Sequence, residues 1–438
     1  LVRPVTKWAV ELSTPDQIPS VMRRAFNEAN THPKGPVYVG LTSNALEGIA
    51  DMNIIPSTPA YADTPPNPDG IIAAVDLILR SSRTVLMVGD RVSDDDAITT
   101  AAELAELIGV PVYQARGAEV SFPTQHPQFC GPLSLRVAEQ RAILDRVDLV
   151  IAVGMDTFDE LFYWGDVILK PETKLIHIDP IPGRPGRSEP TDVGILSHCR
   201  LGLRSLIDEI KTHLSDADYQ EHAQRIETIS AESLAARNAY HESMQSKWDQ
   251  LPMLPARMMS ELAAAVPGNS IIVDDSVSNR TALRQYFHAS KRGDIRGYRG
   301  QSIGGGIGTT MGTQCAYPDR PVFGIIGDGS AMMTIQGLWT AANDNIPCIF
   351  VICNNGMYRV LKMNFNVYQK DILQLAETSG ANLLYSEFGV PFDMAAIAKS
   401  MGLDSERIVR PEQIKPAVDR AIAAKKPMLL DMIIDGSL

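Results

Sequence analysis

Positive charge is scarce in this sequence, and the shortage limits the partners that the chain can bind. The 438 residues include 40 Lys and Arg against 52 Asp and Glu, which gives a formal net charge of −12. Nucleic acids and anionic membrane surfaces are bound by clustered basic side chains. The charge balance therefore argues against both kinds of partner.

Long apolar runs and paired cysteines are also missing. No run approaches the roughly 20 apolar residues that a helix needs to cross a bilayer. The five cysteines show no metal-ligand spacing, and two of them, Cys348 and Cys353, fall within one apolar run. We therefore expect reduced cysteines in a cytoplasmic protein. No signal peptide is visible, although the chain begins with Leu1 rather than Met.

The most informative pattern is a strand, a helix and a second strand in the C-terminal third. Apolar residues 321–326 lead into Gly-Asp-Gly-Ser at 327–330, and apolar residues 347–353 lead into Asn-Asn-Gly at 354–356. Between them, residues 331–343 carry apolar side chains at helical spacing. Such a unit joins two parallel strands by a right-handed crossover. Both polar clusters are then expected at the carboxyl edge of the sheet, where open α/β sheets bind ligands.

The residue types in these two clusters predict a site for a metal-bound phosphate. The Asp328 carboxylate and the Asn355 amide oxygen are hard ligands that suit Mg²⁺ or Ca²⁺. Gly329 and Ser330 begin the predicted helix and offer backbone N–H groups to an anion. Either cluster alone is also explained as a turn that ends a strand, since Gly, Asp and Asn are turn formers. Their occurrence on one strand–helix–strand unit favours the site.

This combination closely resembles the motif of thiamine-diphosphate-dependent enzymes. In that family, the aspartate and the second asparagine bind a divalent metal ion, which holds the diphosphate of the cofactor. The resemblance implies thiamine diphosphate and Mg²⁺ (or Ca²⁺) as cofactors. It assigns the metal to Asp328, Asn355 and the backbone carbonyl of Met357, and it places Gly329 and Ser330 beside the diphosphate.

Further cofactor-binding positions follow from the same resemblance. Ile303 corresponds to the aliphatic residue that supports the cofactor in a bent conformation, and the backbone carbonyl of Gln301 would accept a hydrogen bond from the amino group of the cofactor. The family usually has glycine in place of Gln301. Tyr358 is expected near the phosphate. The alternatives are that Ile303 is a helix core residue and that Tyr358 only fills core space.

Two serines follow the predicted strand 270–275. Ser276 and Ser278 match positions that contact the diphosphate in the family. The alternative is that their hydroxyl groups cap a helix that begins near Asn279.

The order of elements predicts an α/β fold of doubly wound parallel sheets. Five segments are expected: a remnant of a domain at 1–55, a proline-rich linker at 56–68, an α/β domain at 69–214, a helical connection at 215–250 and a second α/β domain at 251–438. This order resembles the pyrimidine-binding, middle and diphosphate-binding domains of the family. Residues 1–55 resemble only the C-terminal end of the pyrimidine-binding domain, so we expect on the order of a hundred residues before them. The glutamate that activates the cofactor would lie there, and no catalytic residue is assigned.

Within the family, the most similar segments belong to benzoylformate decarboxylases, at residues 1–8, 122–127 and 338–342. The resemblance implies a lyase that decarboxylates a small 2-oxo acid through an enamine intermediate. One alternative is a carboligase of the acetolactate-synthase type, and the other is a non-catalytic fragment or scaffold subunit. Because the family builds its active sites between subunits, a homodimer or homotetramer is expected.

Two features of the middle domain separate this chain from particular relatives. Benzoylformate decarboxylases carry an acid/base histidine just after a strand like 148–154, but residues 155–164 contain none, and Leu161 takes its place. This argues against benzoylformate itself and leaves the 2-oxo acid class. Residues 88–92 follow a strand without a GxGxxG pattern, so FAD is not expected as a cofactor.

Overall fold

The structure, a computed structural model, describes residues 1–55, 63–115, 119–134, 136–156, 158, 167–297, 302–375 and 383–437. Its strands are β1 (Trp8–Leu12), β2 (Val37–Leu41), β3 (Thr84–Val88), β4 (Val112–Gln114), β5 (Phe129–Pro132), β6 (Leu149–Val153), β7 (Lys174–Asp179), β8 (Val193–Leu196), β9 (Ile271–Asp275), β10 (Ile295–Arg296), β11 (Val322–Gly327), β12 (Ile349–Asn354), β13 (Asp404–Ile408) and β14 (Met428–Ile433).

Its α-helices are α1 (Ile18–Asn30), α2 (Ser43–Glu47), α3 (Pro68–Arg80), α4 (Asp90–Asp94), α5 (Ile98–Ile108), α6 (Val137–Leu144), α7 (Cys199–Lys211), α8 (Asp216–Met244), α9 (Pro255–Ala265), α10 (Arg280–Tyr286), α11 (Gly306–Ala316), α12 (Asp328–Met332), α13 (Gly337–Asn343), α14 (Arg359–Val367), α15 (Met394–Ser400) and α16 (Ile414–Ala424). Among the described residues, no helix combines the length and the apolar character that crossing a membrane would need.

The chain forms two compact units, Leu1–Ala115 with Leu133–His222 and Arg116–Pro132 with Ala223–Leu438. In the first unit, β1 and β2 pair in parallel. A larger parallel sheet holds β4, β3, β6, β7 and β8 in that order. Strands β3 and β6 are buried along their whole length, as their uninterrupted apolar runs predict. Strand β8 was not predicted, because its four residues are too few to form a recognisable apolar run.

The second unit contains a parallel sheet in the order β10-β9-β11-β12-β14-β13. The four inner strands, β9, β11, β12 and β14, lie where the apolar runs at 270–275, 321–326, 347–353 and 428–434 predict strands. The two strands at the edges were not predicted. Strand β10 has only two residues, and β13 is polar and mostly accessible because an edge strand is covered on fewer sides.

Helices cover both faces of this sheet, and the side chains of β11 show why. Phe323 and Ile325 pack into one buried cluster with residues of α9 and α16. Ile326, on the opposite face of β11, packs into a second cluster with residues of α11, α13 and α15. Since successive strand residues point to opposite faces, an apolar run of this length must be covered on both sides. The predicted α/β fold of doubly wound parallel sheets is confirmed.

The helix expected at 331–343 is a single element in the prediction and two elements in the structure. Helix α12 ends at Met332, and tighter hydrogen bonds link Met333 to Ser330 and Gly337 to Thr334 before α13 begins. A side chain on Gly337 would bring its Cβ within 2.7 Å of Ile307 of α11, so the glycine lets α13 and α11 pack closely. Trp339, expected on the apolar face, is 59% exposed.

The strand order creates a switch point in the second unit. After β9, the chain adds β10 on one side of β9 and then adds β11 on the other side. The sheet therefore grows outward in two opposite directions from the β9–β11 pair. Ile326 of β11 is in register with Asp275 of β9, and Gly327 is in register with Cys353 of β12. The carboxyl ends of β9, β11 and β12 therefore lie side by side at the kind of crevice where open α/β sheets bind ligands.

Candidate metal and cofactor site

Asp328 and Asn355 meet at this edge of the sheet. The Asp328 Oδ2 atom accepts hydrogen bonds from the backbone N–H of Asn355 at 3.1 Å and of Gly356 at 2.7 Å. The other carboxylate oxygen accepts one from the N–H of Gly329 at 2.7 Å. The Asn355 Oδ1 atom accepts from the N–H of Met357 at 3.1 Å. The strand–helix–strand unit thus brings together the residues that the sequence assigns to a metal.

The environment of Asp328 fits a cation. The residue is 3% exposed, and burial raises the pKa of its carboxyl to about 6, although the three backbone N–H groups oppose the shift. No lysine or arginine within the described residues neutralises it. Nor do these residues contain three or more His, Cys, Asp or Glu side chains grouped to hold a metal. A metal ion here would therefore rest on one carboxylate together with amide and backbone oxygens.

Gly329 is a point of close approach at the start of α12. A Cβ atom at this position would lie 2.4 Å from the Tyr358 ring and 3.2 Å from Phe388. The Tyr358 and Phe388 rings meet edge to face with centroids 4.9 Å apart. Tyr358 is thus packed directly over the first turn of α12. The structure places it beside the predicted phosphate position rather than in the core of the sheet.

Ile303 lies in the turn before α11, and its side chain is 40% exposed. The alternative that it is a helix core residue is wrong, because it is neither helical nor buried. The turn is held close to α12 by a hydrogen bond from the N–H of Gly304 to the Ser330 hydroxyl at 2.8 Å. Gln301, whose carbonyl was expected to bind the cofactor, lies outside the described residues.

Ser276 and Ser278 flank a strained turn at the end of β9. The Ser276 hydroxyl donates to Asp274 at 2.6 Å, and neither serine caps the following helix. The alternative role as helix caps is therefore wrong. Ser278 is half-buried and makes no side-chain hydrogen bond to the described residues. Val277 between them has φ +51°, which is rare for a β-branched residue and is typical of strain at functional sites.

Two aspartates at the site were not singled out from the sequence. Asp274 accepts hydrogen bonds from Ser276 and from the Arg280 guanidinium, the latter at 2.8 Å. Asp275 contacts the turn that contains Ile303. Both residues end the apolar run of β9. Polar residues at the carboxyl end of a predicted strand are the pattern that could have identified them.

The corresponding edge of the sheet in the first unit is closed by packing and ion pairs. A Cβ on Gly89 would lie 2.5 Å from the Met155 Cβ atom. The Arg91 guanidinium pairs with Asp179 at 2.7 Å and with Asp156 at 3.3 Å. Gly89 therefore serves close backbone packing, and Arg91 is paired within the protein. Leu161, placed by sequence at the position of an acid/base histidine, lies outside the described residues.

Comparison with known protein families agrees with this geometry. Residues 71–206 match "Thiamine pyrophosphate enzyme, central domain". Residues 275–432 match "Thiamine pyrophosphate enzyme, C-terminal TPP binding domain", and this range begins at Asp275, the last residue of β9, and includes β11 and β12 with the site at their ends. The chain belongs to the thiamine pyrophosphate enzymes. The family resemblance stated from the sequence is confirmed.

Individual members of the family are similar along the whole chain. Benzoylformate decarboxylase of Pseudomonas aeruginosa is 27% identical over 437 residues, which cover 99% of this chain and 76% of that protein. A probable acetolactate synthase large subunit of Methanocaldococcus jannaschii is 28% identical over 452 residues, which cover 99% of this chain and 72% of the relative. The structure of a thiamine diphosphate-dependent 4-hydroxybenzoylformate decarboxylase of Rhodococcus jostii superposes with a TM-score of 0.79 at 25% identity, covering 99% of this chain and 77% of that one. Decarboxylases and synthases are thus similar to this chain to nearly the same degree.

Proposed function

We propose that this thiamine pyrophosphate enzyme is a lyase that uses thiamine diphosphate and Mg²⁺ to decarboxylate a small 2-oxo acid. The observation that carries the proposal is the buried Asp328 carboxylate, which faces Asn355 at the switch point of the sheet without a cationic partner among the described residues. A buried anion of this kind is costly unless a cation joins it. The similarity to benzoylformate decarboxylases supports the decarboxylase class.

Each part of the proposed site has a separate task. Asp328, Asn355 and the Met357 carbonyl would hold the metal ion. The first turn of α12, with Gly329 and Ser330, would face the diphosphate together with Ser276, Ser278 and Tyr358, and Ile303 offers an accessible aliphatic surface to the rest of the cofactor. When bound, thiamine diphosphate supplies a carbon nucleophile for the carbonyl group of a 2-oxo acid, while the protein binds and orients the reacting groups.

A carboligase is the second candidate. The observation in its favour is that a probable acetolactate synthase large subunit is as similar to this chain as the benzoylformate decarboxylase is. Both activities begin with the same 2-oxo acid and differ in whether a proton or a second carbonyl compound completes the reaction. Product identity therefore separates them.

The decisive experiment incubates the purified chain with thiamine diphosphate, Mg²⁺ and either pyruvate or an aromatic 2-oxo acid. Release of CO₂ with an equal amount of aldehyde supports the decarboxylase, whereas a coupled hydroxyketone product supports the carboligase. A chain that binds the cofactor without releasing CO₂ would be a non-catalytic fragment or scaffold subunit. If calorimetry detects no magnesium-dependent binding of thiamine diphosphate, the proposed function is wrong.

The proposal includes assembly and location. We infer a homodimer or homotetramer, because the family builds its active sites between subunits, and a cytoplasmic enzyme with reduced cysteines. Light scattering of the purified chain tests the assembly, and a monomer at all concentrations would contradict it.

A further inference from the structure

The strand end that carries Asp275 connects two parts of the site that lie far apart in sequence. Asp275 is 2% exposed and closes β9. Its Oδ2 atom accepts hydrogen bonds from the backbone N–H of Gly304 at 3.3 Å and of Gly306 at 3.1 Å. The same oxygen accepts a short hydrogen bond from the Ser330 hydroxyl. One buried carboxylate oxygen therefore holds both the turn before α11 and the first turn of α12.

The contacts form a closed network. The Gly304 N–H also donates to the Ser330 hydroxyl at 2.8 Å, and the Thr334 hydroxyl donates to the Gly304 carbonyl at 2.6 Å. Both backbone groups of Gly304 are therefore used. Three donors thus converge on one buried carboxyl oxygen, and no basic side chain of the described residues is among the partners of that carboxyl.

The turn has no space for side chains at Gly304 and Gly306. We call residues 302–306 the Ile303 turn. Gly304 has φ +101°, and a Cβ there would lie 2.6 Å from the Met333 Cβ atom. A Cβ on Gly306 would approach both the Asp275 Cβ atom and Ile326 to 2.9 Å. The glycines thus let the backbone come close enough to reach the Asp275 carboxylate.

We propose that Asp275 is a positioning residue that fixes the Ile303 turn against Ser330 before the cofactor binds. The inference rests on the proposed function, because it concerns the same site. The carboxylate itself is buried behind the turn and acts through Gly304, Gly306 and Ser330. A turn that is already ordered does not lose conformational entropy on binding, so the cofactor binds more tightly.

The test compares wild type with Asp275→Asn, which keeps the size of the side chain and replaces one carboxyl oxygen with an NH₂ group that cannot accept these hydrogen bonds. In the cofactor-free protein, we expect hydrogen exchange at the Gly304 and Gly306 amides to accelerate at least about tenfold, because the carboxyl oxygen that accepts from both amides is replaced. With saturating Mg²⁺, the dissociation constant of thiamine diphosphate should rise at least about tenfold. Inorganic pyrophosphate with Mg²⁺ should lose less affinity than thiamine diphosphate, because it lacks the part that Ile303 supports.

Leu262→Ala is the control for lost stability. Leu262 is fully buried in α9 and belongs to the cluster on the other face of the sheet from α11. It should lower the melting temperature without changing exchange in the Ile303 turn or the affinity for thiamine diphosphate. If Asp275→Asn fails to fold, Ser330→Ala removes the hydroxyl that links Asp275 to Gly304. Faster exchange at the Gly304 amide is then the readout, because Ser330 is also proposed to face the diphosphate and its loss could weaken cofactor binding directly.

The outcomes separate this inference from the proposed function. If wild type binds no thiamine diphosphate, the proposed function is refuted. The exchange measurement would still test whether Asp275 keeps the Ile303 turn ordered. Normal cofactor binding and normal exchange in Asp275→Asn would overturn the inference alone. Equal losses of affinity for pyrophosphate and thiamine diphosphate would also overturn it, because they would place the effect of Asp275 at the diphosphate rather than at the Ile303 turn.

Discussion

At the residue scale, Asp328 destabilises the metal-free protein at the pH where the enzyme would work. Burial raises the pKa of its carboxyl from the ordinary 3.8 to about 6, so the folded state holds this proton more tightly than the unfolded state does. The stabilisation that protonated Asp328 contributes to the folded state is fully present below pH 3.8 and is lost as the pH rises through about 6. At neutral pH the buried anion opposes folding, and a bound cation would relieve that cost.

This cost predicts opposite effects of Asp328→Asn on stability and on binding. At pH 8 and without metal, the free energy of unfolding of the variant should exceed that of wild type by roughly 1–2 kcal/mol. Removal of the buried charge stabilises the fold by more than the loss of one hydrogen bond destabilises it. Magnesium-dependent binding of thiamine diphosphate should weaken by more than about tenfold. Denaturant unfolding and titration calorimetry measure the two effects.

The control is Glu189→Gln, which alters a buried carboxyl of the first unit that also accepts backbone N–H hydrogen bonds, from Ile168 and Leu169. The control variant should keep the affinity for Mg²⁺ and cofactor within about twofold of the wild-type value, because the altered side chain does not contact the proposed ligands. Unchanged binding in Asp328→Asn would remove Asp328 from the metal site.

At the element scale, the end of β9 organises two turns because neighbouring strand residues point to opposite faces. Asp274 faces the turn that contains Ser276 and pairs with Arg280 of α10, whereas Asp275 faces α11 and α12. Burial disfavours the charge on Asp274, but Arg280 and the hydrogen bonds from Ser276 together lower the pKa of its carboxyl. The two neighbouring carboxyl groups therefore have pKa values shifted in opposite directions, since the pKa of Asp275 is raised by burial.

The ion pair between Asp274 and Arg280 predicts a pH-dependent loss of stability in Arg280→Met. Because the pKa of Asp274 is lower in the folded state, the stability from this contact is present above the ordinary 3.8 and is lost as the pH falls through the lower folded value. At pH 7, the variant should lose roughly 1–3 kcal/mol, and the difference from wild type should shrink below about pH 4. Urea unfolding at several pH values measures it.

Arg420→Met is the matched control, because Arg420 pairs with Glu406 at the exposed edge of the same sheet. Such exposed pairs contribute little to stability, so the control should unfold almost as wild type does. A pH-independent loss in Arg280→Met would show that Arg280 stabilises the turn by packing rather than by charge.

At the scale of the whole molecule, the proposed ligands belong to one of two units that have separate buried cores. The candidate residues of the site that the structure describes all lie in the second unit, on β9, β11, β12 and the segments that follow or precede them. The first unit has its own parallel sheet and its own buried cluster around β3 and β6. Ligand binding should therefore stabilise the two units unequally.

Hydrogen exchange tests this expectation. A ligand at a hundred times its dissociation constant stabilises the state that binds it by about 2.7 kcal/mol. We expect thiamine diphosphate with Mg²⁺ to slow exchange in peptides of β9, β11 and β12, and to change β3 and β6 much less. Equal protection of both sheets would contradict a site confined to the second unit.

Several parts of the fold and of the candidate site could be predicted from local pattern. The apolar runs at 321–326 and 347–353 predict β11 and β12, and polar residues at the ends of parallel strands predict the contact between Asp328 and Asn355. The helix at 331–343 was predicted without its break, because the spacing of apolar residues does not reveal that Gly337 packs against α11. The short or polar edge strands lacked a pattern altogether.

The amino-acid sequence by itself determined the fold class and the sheet edge at which the proposed metal ligands meet, because strand periodicity and chain order suffice for these. Its motifs carried the resemblance to the family. Only the tertiary structure revealed that Asp328 is buried without a basic partner in the part of the chain that the structure describes, that Ile303 is exposed in a turn, and that Asp275 connects this turn to Ser330. These features depend on hydrogen bonds and close glycine contacts between segments distant in sequence. Such contacts arise from packing, and no local pattern of residues encodes them.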